Sequence, residues 1–240
     1  MSGVQVPLLL SVLIKMKKNK FIWDQKKITP QLLKSKVYFG SSVVDCNLQM
    51  KPYLLGQRFG LCFFNVDYII VQLRQFFRLL VSLTGSKLKV KKPTILFIGF
   101  PKYLLRKLID TTKIKNLSYV AYENWFPGIL TNGFLTRKII KKTVNDVSVD
   151  QRSIKKRKQF LSSFLDTKQL YKKPSLIIIF SLNKSNQNIV KEAHAENIPV
   201  VSFLNSCDSL NLVHYPVLGN LKSIESNVLY WGLIKESLKG

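Results

Sequence analysis

The chain has 240 residues, 46% of them hydrophobic and 11% aromatic, which is ample for a packed core and excludes a disordered basic tail. Its 38 Lys and Arg against 13 Asp and Glu give a formal net charge of +25. So large an excess repels itself unless something anionic neutralises it; nucleic acid is the commonest such partner, and a membrane surface is the second candidate.

Residues 1–27 read as a basic extension, with Lys17, Lys18 and Lys20 and no acidic residue before Asp24. Its apolar run at 6–14 is too short to span a bilayer. The charge follows that run instead of preceding it, the wrong order for a secretory signal. Residues 28–240 read as one α/β domain. A first helix is expected at 29–36, with Thr29 as N-cap and Pro30 at the first helical position. Two apolar runs between Tyr53 and Phe64, split by Gly56-Gln57-Arg58-Phe59-Gly60, signal a hairpin. Asp67 is placed as the cap of a long amphipathic helix to about Leu83, with Arg74 and Arg78 on its polar side.

Apolar strands are then expected at 94–98, 117–122, 175–180 and 199–204, with a short strand near Val217. Helices are expected at 102–112, 185–197 and 222–238. Strands that are apolar throughout and alternate with helices indicate a parallel sheet covered on both faces, hence a three-layer, doubly wound α/β domain. One segment, 133–173, breaks the alternation. It reads as a short inserted helical projection carrying Arg137, Lys138, Lys141 and Lys142, then Arg152, Lys155, Lys156, Arg157 and Lys158.

The motifs for chemistry are weak. The turn after the first sheet strand, Gly99-Phe100-Pro101-Lys102, is neither G-x-G-x-x-G nor a P-loop, and its bulky neighbours keep a backbone cradle from closing on a pyrophosphate. His194 reads as part of a solvated helix face beside Glu192 and Glu196. His214 sits in a loop, and neither histidine has metal-ligand spacing. Cys46, Cys62 and Cys207 are odd in number and far apart, which gives neither a zinc site nor a disulfide framework and fits a reducing compartment. No nucleophile motif is present, and Asp208 is expected to serve turn chemistry in Asn205-Ser206-Cys207-Asp208-Ser209. No cofactor, metal or small-molecule substrate is expected. The positive signal is the mixture of basic residues with aromatics and glycines, including Tyr53, Phe59, Tyr122, Trp125 and Phe126, which suits phosphate contacts and base stacking on RNA. Trp125 is read as packing in preference to stacking. The preference for Lys over Arg, with abundant Ile, Asn, Phe and Tyr, matches an AT-rich gene of the organellar kind.

Five segments in order carry a resemblance. They are Tyr38-Phe39-Gly40-Ser41; Gln49-Met50-Lys51-Pro52-Tyr53-Leu54-Leu55-Gly56-Gln57-Arg58-Phe59-Gly60; Trp125-Phe126-Pro127-Gly128-Ile129-Leu130-Thr131-Asn132; Pro174-Ser175-Leu176 with Lys191-Glu192-Ala193 and Ile198-Pro199-Val200-Val201; and Tyr215-Pro216-Val217-Leu218-Gly219-Asn220. With these the chain resembles small-subunit ribosomal protein S2 in its bacterial and organellar branch, from about residue 28 to 234. The resemblance implies a flavodoxin-like sheet, a place at the head–body junction of the small subunit, contacts with small-subunit rRNA and neighbouring ribosomal proteins, and no reaction. Tyr38 and Ser41 replace the family's two histidines, Pro127 replaces a glycine, Ser181 replaces an acidic residue, and Ser42-Val43-Val44-Asp45-Cys46 lacks the family's arginines. Such divergence and the short insertion point to a mitochondrial version, with a plastid or bacterial version as the alternative. A nucleotide-binding α/β enzyme and a peripheral membrane protein are the rivals from other classes. The expected rRNA contacts are Lys17, Lys18, Lys20, Lys51, Arg58, Asn132, Arg137, Lys138, Lys141, Lys142, Arg152, Lys155, Lys156 and Arg157.

Overall fold

A computed structural model of the chain describes residues 25–85, 94–101, 103–104, 118–122, 128, 130–132, 173–182 and 186–239. The basic extension before Gln25, most of the helix expected at 102–112, Trp125 and the projection expected at 133–173 lie outside the described residues.

Among the described residues the order begins with helix α1 (Gln25–Lys34), strand β1 (Phe39–Ser42), a 3-10 helix (Leu48–Tyr53), the hairpin β2 (Leu54–Arg58) and β3 (Leu61–Phe64), and helix α2 (Val66–Gly85). The second part holds β4 (Thr94–Ile98), β5 (Ser118–Tyr122), β6 (Leu176–Ile179), α3 (Gln187–Ala195), β7 (Val200–Leu204), β8 (Tyr215–Leu218) and α4 (Ile224–Lys239).

Helix α1 corrects the sequence expectation. It already includes Gln25, and Thr29 and Pro30 lie inside it, so Thr29 is not its cap. The Thr29 hydroxyl instead donates back to the Gln25 carbonyl at 2.8 Å, a bond open to threonine within a helix. Pro30 removes one ladder donor, and burial of Ile28 and Leu32, one turn apart on the inner face, offsets that loss. Helix α2 corrects a second expectation. Its cap is Asn65, whose Oδ1 accepts the Asp67 N–H at 3.0 Å, while Asp67 sits in the first turn, where its charge favours the helix dipole.

Two sheets result. The small one is antiparallel, in the order β1-β3-β2. The large one has five strands in the order β5-β4-β6-β7-β8, every pair parallel. Numbered along the large sheet alone, this is the 2-1-3-4-5 arrangement of flavodoxin-like folds, as the sequence pattern and the resemblance both anticipate. Every residue of β4, β6 and β7 is buried, which explains why these strands read as apolar runs broken only by Thr94 and Ser202. Helix α2 packs on β8 and on α4. Its buried Gln72 accepts the Leu218 N–H at 3.0 Å, which satisfies a donor on the edge strand.

Candidate nucleic-acid interface

In a doubly wound sheet, ligands bind beyond the carboxyl ends of the strands, where the strand order reverses. Here that point lies between β4 and β6. Gly99 has φ +63°, and a Cβ there would stand 3.0 Å from both the backbone N and O of Ser181. This close approach brings Phe100 inward. Its ring meets Phe180 edge-on at 4.6 Å and Trp231 at 5.3 Å. Phe100 is buried, so the residue after this glycine belongs to the hydrophobic core.

Further along the same edge, the small sheet is strapped across the end of β7. The Ser41 N–H donates to the Ser206 Oγ at 2.7 Å, and the Asn47 N–H donates to the Ser206 carbonyl at 2.8 Å. Gln49 accepts from the Ser209 hydroxyl and the Leu210 N–H, and donates to Asn211 Oδ1 at 3.0 Å. Asp208 does serve turn chemistry, since its Oδ2 accepts the Asn205 N–H at 2.7 Å. Burial pushes its carboxyl above the ordinary range, and that hydrogen bond, Cys207 and the Lys222 charge pull it partly back.

The exposed Thr131 and Asn132 are held out by a carboxylate clamp. Glu192, on α3, accepts the Gly128 N–H at 2.8 Å and the Leu130 N–H at 3.1 Å. The Asn132 N–H then closes back on the Gly128 carbonyl at 2.9 Å, and Gly128 has φ +88°, a backbone setting that suits glycine. Two segments that carry the resemblance, Gly128-Ile129-Leu130-Thr131-Asn132 and Lys191-Glu192-Ala193, are thus two halves of one device. Glu192→Ala is expected to speed amide exchange at Gly128 and Leu130 by about tenfold or more, because hydrogen bonds to a charged acceptor contribute about 1.5–3 kcal/mol. Exchange at these two amides, read by NMR with β7 amides as an internal reference, checks it; unchanged protection would remove the clamp.

Of the expected RNA contacts, three fall among the described residues, on separate elements. Lys51 is exposed in the 3-10 helix, Arg58 is exposed at the end of β2, and Asn132 is exposed on the clamped turn. Lys17, Lys18, Lys20, Arg137, Lys138, Lys141, Lys142, Arg152, Lys155, Lys156 and Arg157 lie outside the described residues. So do 25 of the 38 basic residues and only 6 of the 13 acidic ones, which puts most of the charge excess beyond the described sheet and helices.

Sequence reasoning missed several groupings. Arg58 places its guanidinium 5.1 Å from the Phe59 ring centroid. His194 and His214 stack with centroids 6.0 Å apart, and His214 Nδ1 accepts the Val200 N–H at 3.3 Å. Cys62, distant in sequence from Cys46, has its thiol pushed up to about 11 by burial and by the adjacent Cys46 thiol. Neither the histidine pair nor the cysteine pair has a sequence spacing that would reveal it.

The topology defines a flavodoxin-like α/β domain with an added N-terminal helix and small sheet. The sequence model of Ribosomal protein S2 matches residues 32–240, and the chain belongs to that family. It is 26% identical over 222 residues to the small ribosomal subunit protein uS2 of Orientia tsutsugamushi (strain Boryong), covering 87% of this chain and 74% of that protein. It is 25% identical over 223 residues to the uS2 protein of Shewanella halifaxensis (strain HAW-EB4), covering 87% and 89% of the two chains. With the uS2 protein of Buchnera aphidicola subsp. Schizaphis graminum (strain Sg) it shares 26% over 219 residues, covering 86% and 87%.

Proposed function

We propose that this chain is a structural constituent of the small subunit of the mitochondrial ribosome. In this reading it binds small-subunit rRNA and neighbouring ribosomal proteins, catalyses no reaction, and uses no cofactor, metal or membrane. The family match over residues 32–240 carries the reading. The net charge of +25 supports the rRNA partner, and the turn Gly99-Phe100-Pro101-Lys102, which lacks a phosphate-binding glycine pattern, supports a scaffold over a nucleotide enzyme. The mitochondrial assignment rests on the Lys-rich, AT-biased composition and on the Ser42-Val43-Val44-Asp45-Cys46 segment, which has no basic residue.

The test is sedimentation of the native protein from organelle lysate at moderate and at high salt. Co-migration with the small subunit is expected at moderate salt, with partial release at high salt as phosphate contacts weaken. A free monomer under mild conditions would overturn the reading. Neutralising Arg137, Lys138, Lys141 and Lys142 together is expected to reduce incorporation into small subunits several-fold, because each cation taken away from a phosphate forfeits the counterion release that drives binding there. A quadruple variant that incorporates normally would remove this stretch as an rRNA anchor.

A further inference from the structure

We propose that the Arg58–Phe59 tip of the β2–β3 hairpin is a stacking seat for an unpaired nucleobase. The inference rests on the rRNA-binding reading and assigns it one contact.

Three observations lead there. First, Phe59 and Gly60 form a two-residue turn with φ +51° and +72°. Such a turn needs positive φ at both positions, which Asn-Gly supplies with little strain. A bulky side chain in the left-handed region costs roughly 1–2 kcal/mol. Second, Phe59 is 87% exposed, so burial offsets none of that cost. Among the described residues its ring meets no other aromatic ring. Third, the Arg58 guanidinium lies over one face of the ring, 5.1 Å from its centroid. An exposed cation–π pair contributes only about 0.5–1 kcal/mol, so a strained, exposed aromatic held by that pair alone points to a further contact outside the chain.

The chemistry of the tip selects a base over an apolar protein pocket. A pocket deep enough for the phenyl ring would also bury the guanidinium above it, and an unpaired buried charge is costly. A base stacked on the free ring face, or continuing the stack on the guanidinium plane, leaves the edge of Arg58 in solvent and within reach of a phosphate. The neighbouring turn is tied to the tip by the Val43 N–H, which donates to the Gly60 carbonyl at 2.9 Å. That turn exposes Val44 (92%) and the Asp45 carboxylate. Asp45 repels phosphate, so the tip is not a plain backbone anchor. Contact falls on the uncharged face of a base, with Val44 beside it.

The test compares the full chain with Phe59→Asn, Phe59→Trp and Arg58→Gln, using short single-stranded oligoadenylate, an RNA duplex of the same length, and incorporation into small subunits. Phe59→Asn suits the turn, so its thermal midpoint should equal or exceed the parent's, which keeps weaker binding from being misread as misfolding. The expected result is roughly tenfold weaker oligoadenylate binding for Phe59→Asn, with the salt slope unchanged, because the variant gives up one stacked base and no phosphate. Phe59→Trp should retain binding, Arg58→Gln should weaken it by a smaller factor, and duplex binding should not change. Parental oligoadenylate binding by a folded Phe59→Asn variant would overturn the proposal and leave the ribosomal reading standing. Loss of subunit incorporation by Phe59→Asn with oligoadenylate binding intact would also overturn it, in favour of a protein neighbour at the tip. A parent chain that binds no RNA and enters no subunit would instead overturn the ribosomal reading.

Discussion

Phe203→Ala should lower the unfolding free energy by about 3–5 kcal/mol, read as a fall in denaturant midpoint with little change in slope. Phe203 is fully buried on β7. Its ring stacks on Phe180 at 4.8 Å and 25°, tilts against Tyr230 at 4.8 Å, and meets Phe76 edge-on at 5.8 Å. It therefore joins the end of β6, helix α4 and helix α2. Strand backbones on either side prevent the space from collapsing, so alanine leaves a cavity as well as losing the transfer energy. A domain of this size has only about 5–15 kcal/mol to lose. Phe203→Leu keeps most of the volume and should cost well under half as much. Equal losses for the two variants would show that ring packing is not what Phe203 supplies.

Gly219→Ala is expected to cost on the order of 3 kcal/mol, for a different reason. A Cβ at Gly219 would overlap the Tyr230 hydroxyl and come within 2.9 Å of the Val37 Cγ1. Tyr230 cannot retreat easily. It is fully buried, and its hydroxyl donates to the Leu218 carbonyl at 2.9 Å. Burial also drives the phenol well above its ordinary pKa, so it stays a neutral donor. The same joint holds the Asn220 N–H on the Val37 carbonyl at 2.9 Å. If the overlap is the mechanism, Tyr230→Phe should relieve it. That change alone costs about 1 kcal/mol for the missing hydrogen bond. The Gly219→Ala/Tyr230→Phe double variant should then be less destabilised than the sum of the singles, by at least about 1 kcal/mol in a thermodynamic cycle. Strict additivity would place the cost elsewhere.

The sheet was legible because its strands are buried on both faces, and an unbroken run such as Leu176-Ile177-Ile178-Ile179 has few other uses. Helix starts were less legible because cap-competent residues occur inside helices too. Thr29-Pro30 has the composition of an N-terminus, yet Thr29 bonds back into an existing turn. Asn65 and Asp67 are both competent caps, and the reach of the Asn65 side chain decides between them. The Glu192 clamp spans 64 residues to Gly128, so spacing carries no hint of it, although both ends stand out as matched segments. Phe59 stands out in the sequence as an aromatic among basic residues, but its backbone angle and exposure belong to the turn, not to residue type. Glycine at 60 is a fair sign of the hairpin; phenylalanine at 59 argues against the usual turn chemistry and is informative for that reason.

The strap across β7 has a consequence for the order in which the domain is completed. Its bonds join residues made early to residues made late, as in Ser41 to Ser206, and the end of α1 is likewise tied to α4, the Ser226 hydroxyl donating to the Ser35 carbonyl across 191 positions. Synthesis runs from the N-terminus, so the small sheet and α1 leave the translating ribosome long before their docking surface exists. Closing so long a loop is entropically slow and waits for β7, β8 and α4. Until then the part of α2 destined for β8 and α4 lacks those two partners, and only the earlier α1 is there to pack on the helix. A nascent chain stalled before Leu204 therefore presents that helix face to chaperones, and release from them is timed by the last strand and helix to appear.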